Sequence, residues 1–281
     1  MRVLVTGAAG QLGVDLLAHC AACGDDVIGL DRAGLDVSDR AAVLGVVTTL
    51  HPDVIVNTAA WTAVDACEGD LDRAFRVNAL GPRWLSEASD RVGAHLVHLS
   101  TDYVFDGTLD RPYREWDEPN PQSVYGASKL AGEREVSAAA CVVRTSWVCG
   151  ANGNNMVKTI LRLVEEQTSL SFVDDQHGCP TFTADLAPMV RRLAVDRRRG
   201  VHHVTNAGAV SWFEFVREIV AEAGHDPAMV HPIATADLHP PRPAPRPANS
   251  VLDNAALRLG DVAPLRHHRE PLRELVAHLT A

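Results

Sequence analysis

Short apolar runs recur along the first half of the chain, each closed by a glycine or a small polar residue. RVLVTG at 2–7 predicts a strand. QLGVDLLAHCAAC follows with Leu12, Leu16, Leu17 and Cys20 at helical spacing. DVIGLD at 26–31 predicts a second strand, and SDRAAVLGVVTTL a second helix that Ser38 is placed to cap. DVIVNTAA at 53–60 predicts a third strand. A long helical region over 65–92 leads to the strand HLVHLST at 95–101, and a helix containing Tyr125 leads to the strand CVVRTSWV at 141–148. These strands are nearly continuous in apolar residues rather than alternating, the mark of a parallel sheet buried on both faces. Strand and helix alternating in this way predict a doubly wound α/β sheet.

After about residue 150 the pattern loosens. Helices are expected over 154–166, 183–198, 211–223 and 266–280, with short strands near 170–174 and 201–205. HPPRPAPRPANS at 239–250 is proline-rich. Only about thirty residues follow it, so it reads as a loop lying on the body of the protein and not as a linker to a further domain. The expected organisation is a dinucleotide-binding unit over 1–150. A smaller α/β part over 151–281 takes the substrate, with some segments, about 170–206, returning to the first body.

Composition narrows the partners. Of 281 residues 46% are hydrophobic, and the formal charge is −10, which argues against nucleic acid and leaves room for a local basic pocket. The N-terminus runs straight into a strand and no stretch is apolar enough to span a membrane, so the chain reads as soluble and cytoplasmic, with no membrane partner. Cys20 and Cys23 form a lone C-x-x-C with no second pair at zinc-binding spacing, and the neighbouring pairs His202–His203 and His267–His268 diverge in either helix or strand. No metal site is expected from these residues.

VTGAAGQLG places Gly7, Gly10 and Gly13 between the first strand and the first helix. Glycine permits a tight turn and the close approach of a pyrophosphate, and the helix N-terminus, with Gln11 and Leu12, offers free amides to it. Asp31 ends the second strand, where a carboxylate accepts from an adenosine ribose and favours NAD. Arg32 follows at once and suits a 2′-phosphate, favouring NADP. Asp36 and Val37 are placed to flank the adenine; Ala59, Ala60 and Thr62 follow the third strand on the same edge.

Tyr125 and Lys129 lie four residues apart in SVYGASKLAGE and so share a helical face. Lys129 is one of only two lysines among 26 basic residues. An ammonium beside a phenol stabilises the phenolate and lowers its pKa. A tyrosine so placed can pass a proton to a carbonyl oxygen as hydride reaches its carbon. Upstream, HLSTDYVF brings Ser100 and Thr101 to the C-terminal end of a predicted strand, the edge where ligands bind in an open parallel sheet.

With these stretches the chain resembles the extended short-chain dehydrogenase/reductases over essentially its whole length, and within them the dTDP-4-dehydrorhamnose reductase family. GAAGQLG, NTAAWTAVDACE, FRVN, LSTDYVFDG and YGASKLAGE carry the superfamily; VVRTSWVCG, DDQHGCPT and RPANSVLDN carry the substrate half. The resemblance implies a Rossmann fold and reduction of the C4 ketone of dTDP-4-dehydro-β-L-rhamnose by NADPH, with NADH as the alternative donor. It implies Thr101, Tyr125 and Lys129 as catalytic residues, Lys129 also binding the nicotinamide ribose. Asn78 matches an asparagine that steadies the sheet and a water relay beside the cofactor. Trp147 falls where an aromatic lies beside the sugar, and reads equally as a core tryptophan. Arg246 is placed to meet the diphosphate, with Arg242, Asn249 and Ser250 in the same loop. Asp102 is followed by Tyr103 where dehydratase relatives carry glutamate, which favours simple reduction over elimination. Two alternatives stay open: a sister 4-ketoreductase making another deoxysugar, and a non-catalytic dinucleotide-binding subunit. A homodimer is compatible with the reading. Magnesium is described for some members, but no full ligand set is matched here.

Overall fold

The computed structural model describes residues 1–281. The first half runs β1 (Arg2–Thr6), α1 (Gln11–Ala22), β2 (Asp26–Leu30), α2 (Arg40–Leu50), β3 (Val54–Asn57), α3 (Val64–Cys67), α4 (Leu71–Phe75), α5 (Gly81–Val92), β4 (His95–Thr101), α6 (Val124–Glu135) and β5 (Cys141–Thr145). The second half adds β6 (Val148–Cys149), α7 (Met156–Glu166), β7 (Leu170–Val173), β8 (His177–Gly178), β9 (Thr181–Phe182) and α8 (Thr183–Val195). It continues with β10 (Gly200–His203), β11 (Val210–Ser211), α9 (Trp212–Glu222), β12 (Val230–Ile233), α10 (Ala255–Leu259) and α11 (Arg269–Thr280). No helix is long and apolar enough to cross a membrane.

Six strands pair in parallel in the order β10-β5-β4-β3-β1-β2. Side chains alternate across them. Val3, Val5, Val54, Val56, Val97 and Val143 face α1 and α8, in one core with Leu12, Leu16, Leu186 and Leu193. Leu4, Ile55 and Leu96 face the other way, onto Val43 and Val47 of α2 and Leu85 of α5. Both faces are covered, which is why the strands read as unbroken apolar runs. Residues 183–203 return to this sheet as α8 and β10, whereas β7 pairs with β12 in a separate sheet. That smaller part has its own core, built from Val157 and Ile160 of α7, Phe215 and Ile219 of α9, and Leu272 and Val276 of α11.

Three local expectations are corrected. Asp39, not Ser38, caps α2, accepting from Ala42 N at 3.1 Å, while the Ser38 hydroxyl donates to Asp36. The helical region 65–92 is broken. Asp70 caps α4, and Arg76–Leu80 is a π-turn. Pro82 has no N–H to give the carbonyl of Asn78 four residues back, so the ladder widens there. The strand over 141–148 stops at Thr145, because Trp147 turns into the left-handed region at φ +46° and Val148 then pairs with Thr181.

Candidate active site

The strand order reverses at β1, which has β2 on one side and β3 on the other, and a crevice opens at the C-terminal ends of β1 and β3. Gly7 turns there at φ +71°, and a Cβ on it would stand 2.6 Å from the Ala59 amide nitrogen. A Cβ on Gly13 would stand 2.5 Å from the Gly7 carbonyl oxygen. Gly10 is the N-cap of α1 and no side chain caps that helix, so its first amides remain open to an anion.

A cavity of about 280 Å³ runs from Gly7 and Gly10 past Asp31, Arg32, Asp36 and Val37 to Ala59 and Ala60. A second, of about 460 Å³, shares Gly10 and Ala60 with it and continues past Gln11, Leu12 and Thr62 to Thr101, Tyr125 and Lys129. The two make one trough with open helix amides midway and a tyrosine–lysine pair at one end. Its residues fit a dinucleotide.

At the other end the acid and the cation persist side by side. Asp31 Oδ1 accepts from the amides of Ala33 and Gly34, both at 3.0 Å, and Arg32 is exposed and 3.6 Å from Asp36. Arg73 adds a second guanidinium on the same cavity, 4.3 Å from the centre of the Trp61 ring. Asn78 lines neither cavity. It is fully buried behind them, accepting from Trp61 N at 2.8 Å and donating to the Trp61 carbonyl and to Ser128 Oγ on α6. Its contacts tie the loop after β3 to the helix carrying Tyr125.

That helix is held at its start by two acceptors. Ser123 Oγ accepts from Gly126 N at 3.1 Å, and Glu68 Oε1 from Val124 N at 2.8 Å. Lys129 Nζ donates to the Leu99 carbonyl at 2.6 Å, and burial pulls its ammonium down to about 8. The Tyr125 phenol is pushed up by burial, the Thr101 hydroxyl acting the other way. The expectation of a lowered Tyr125 pKa is therefore not met within the protein alone, because desolvation of the buried phenol outweighs the charges around it. Of the two hydroxyls ending β4, Ser100 donates to Glu133, which forms a buried ion pair with Arg144. Thr101 is the one beside Tyr125. Its Oγ1 donates to Asp102 Oδ1 at 2.9 Å. Burial pushes the Asp102 carboxyl up to about 6, and its Oδ2 has no partner. Tyr103 stands edge-on to Tyr125, ring centres 5.7 Å apart, and burial pushes its phenol up to about 12.

The far wall is aromatic. Trp147 stacks on Trp212 with ring centres 3.6 Å apart and an interplanar angle of 9°, and both line the cleft. Trp147 thus packs on the smaller core and faces the cleft at once. Trp212 had no signal in the sequence beyond an aromatic at the start of a helix. Arg246 forms a bidentate pair with Asp65, and Arg242, mostly exposed, lies 3.7 Å from the same carboxylate. Asn249 is placed elsewhere. Its amide donates to the carbonyls of Leu109 and Arg111 and its Oδ1 accepts from Val251 N, so its polar atoms staple two loops and do not line the cleft. Ser250 is buried, with Oγ 3.2 Å from the His177 carbonyl, and its hydroxyl acts to lower the Asp102 pKa. No three His, Cys, Asp or Glu side chains gather where they could hold a metal ion.

The family model described as the RmlD substrate binding domain matches residues 1–281. A dTDP-4-dehydrorhamnose reductase of Mycobacterium tuberculosis is 44% identical, covering 98% of this chain and 92% of its own. The crystal structure of a dTDP-4-dehydrorhamnose reductase from Clostridium acetobutylicum superposes with a TM-score of 0.96 at 41% identity, covering 100% of both chains. One from Bacillus anthracis, solved in complex with NADP, superposes with a TM-score of 0.94 at 39% identity, covering 99% of both.

Proposed function

Because this chain belongs to the RmlD substrate binding domain family, we propose that it is an NAD(P)H-dependent reductase of the C4 ketone of dTDP-4-dehydro-β-L-rhamnose, giving dTDP-β-L-rhamnose. The observation that carries the reading is the trough itself: Thr101, Tyr125 and Lys129 line the end that continues into the open N-terminus of α1. Residues 1–150 hold the dinucleotide and 151–281 mainly the sugar nucleotide.

The bound nicotinamide supplies the hydride. Tyr125 supplies the proton to the C4 oxygen, and its raised pKa keeps it protonated at neutral pH, the state an acid must start from. Lys129 stays an ammonium below about 8, and so stabilises the phenolate left behind. Thr101 donates to Asp102 within the protein alone, and with the ketone in place its hydroxyl turns that proton to the C4 oxygen and orients it. Tyr103 stays neutral with its phenol near 12, so it offers no carboxylate for the elimination that dehydratase relatives perform. The aromatic wall of Trp147 and Trp212 takes the sugar ring. NADPH is the preferred donor in this reading, because Arg32 and Arg73 both flank the cavity that Asp31 lines. Tyr125→Phe tests the proton role. Turnover with NADPH and the keto sugar should fall by about 10²–10⁴ while NADPH binding is kept; unchanged turnover would refute it.

A further inference from the structure

The segment VDACE at 64–68 carries two carboxylates. Glu68 holds the first turn of α6, as described above. Asp65 faces the proline-rich strap instead. Its Oδ1 accepts from Arg246 Nη1 and, at 3.1 Å, from the Ala244 amide; its Oδ2 accepts from Arg246 Nη2 at 2.8 Å. Arg246 Nη1 also donates to the Ala244 carbonyl at 2.6 Å. Asp65 therefore fixes both the backbone of the strap and one edge of the guanidinium.

A guanidinium has two edges that can take a pair of oxygens, one formed by Nη1 and Nη2 and one by Nε and Nη2. Asp65 occupies the first. Both Nη1 protons are used, whereas the Nε edge meets no carboxylate or carbonyl and faces only the neutral Tyr103 phenol, a weaker acceptor than a diphosphate. Tyr103, on the wall of the catalytic cleft, stands beside Arg246, and Val64, next to Asp65, lines the same cleft. Arg246 holds the Asp65 carboxyl below the usual carboxylate range, so the clasp stays charged. With Arg242 and Arg246 against one carboxylate, the cluster keeps a net positive charge in a chain of formal charge −10.

We propose that Asp65 is a positioning residue for the sugar nucleotide: it clasps Arg246 by the Nη1–Nη2 edge and leaves the Nε edge to an oxygen pair of a nucleoside diphosphate. This rests on the reading of the cleft as a dTDP-sugar site. The opposing possibility has the opposite sign. If Asp65 stood in for the diphosphate and had to be displaced, neutralising it would strengthen binding.

The test uses the full chain, with dTDP as the probe in calorimetry and the keto sugar in steady-state assays. Asp65→Asn should weaken dTDP about tenfold and raise KM for the sugar nucleotide alike. The kcat and the Kd for NADPH should stay within about twofold of wild type, a split that general loosening of the fold does not produce. In an Arg246→Gln background, Asp65→Asn should add nothing, since the two act as one unit. Asp65→Glu, which keeps the charge, should recover part of the loss. Equal or tighter dTDP binding by Asp65→Asn overturns the inference, as does a loss that adds to that of Arg246→Gln or one that extends to NADPH. Failure of the wild-type chain to bind dTDP overturns instead the reading beneath it.

Discussion

Lys129→Met should make the protein more stable and abolish its chemistry. The ammonium is 2% exposed. Burial takes its pKa from an ordinary value of about 10.4 down to about 8. The sign follows from proton counting. Between about pH 8 and 10.4 the unfolded chain binds more protons at this site, so its contribution to stability rises with pH across that window. Below it the folded state carries the full penalty, about 3 kcal/mol at pH 7, which shrinks to under about 1 kcal/mol at pH 10. Methionine keeps the volume and loses the charge-assisted bond to the Leu99 carbonyl, worth about 2 kcal/mol. The net gain at pH 7 is then about 1 kcal/mol, or roughly 3 °C in Tm for a chain of this size. Thermal melts of wild type and Lys129→Met at pH 7 and pH 10, with turnover on the keto sugar, check it. The melting advantage should shrink or reverse at pH 10, and turnover should fall by about 10²–10⁴. A variant less stable at pH 7 than wild type would show that the buried ammonium is a net stabiliser and would refute the reasoning.

Asp102 behaves as the acidic counterpart: its raised pKa means the folded state binds more protons between about pH 4 and 6, so stability is lost as pH rises through that window. Asp102→Asn should therefore stabilise by about 2–3 kcal/mol at pH 7.5, with the gain shrinking below pH 5 in denaturant titrations. Arg32→Ala should raise KM for NADPH about fivefold and leave NADH unchanged, as befits one exposed charge pair; equal effects on both donors would remove Arg32 from 2′-phosphate binding. Trp212→Ala should cost about 3 kcal/mol and, by freeing Trp147, raise KM for the sugar nucleotide with little change in NADPH binding.

The first half of the fold was legible because its strands are buried on both faces and its helices are amphipathic, so Leu4 and Val5 announce opposite cores in adjacent positions. In the second half the strands near 170–174 and 201–205 were legible, as β7 and β10, and the rest were hidden. His177–Gly178, Thr181–Phe182 and Val210–Ser211 are too short to show a period, and Pro232 interrupts Val230–Ile233. The helical region 65–92 breaks at 68–70, where Gly69 and the Asp70 cap restart the helix, and it widens at 76–80, where Pro82 removes a donor from Asn78. At the site, Tyr125 and Lys129 were readable from spacing, since one helix sets their relation. The direction of the Tyr125 shift was not, because it depends on burial that spacing does not record. Nor was the Asp65–Arg246 clasp, whose partners stand 181 residues apart. Asn249 was misplaced because a loop amide serves two carbonyls as well as it would serve a ligand.

The central claim is hydride delivery to C4 with proton transfer from Tyr125, and one measurement addresses it most directly. The protein is given the dTDP-4-keto sugar and NADPH deuterated at C4 of its nicotinamide, and the product is read by NMR, with Tyr125→Phe alongside. The account predicts dTDP-β-L-rhamnose carrying deuterium at C4 of the sugar, formed by wild type and nearly lost in the variant. A product epimeric at C4, deuterium at another carbon, or full turnover by Tyr125→Phe would contradict it.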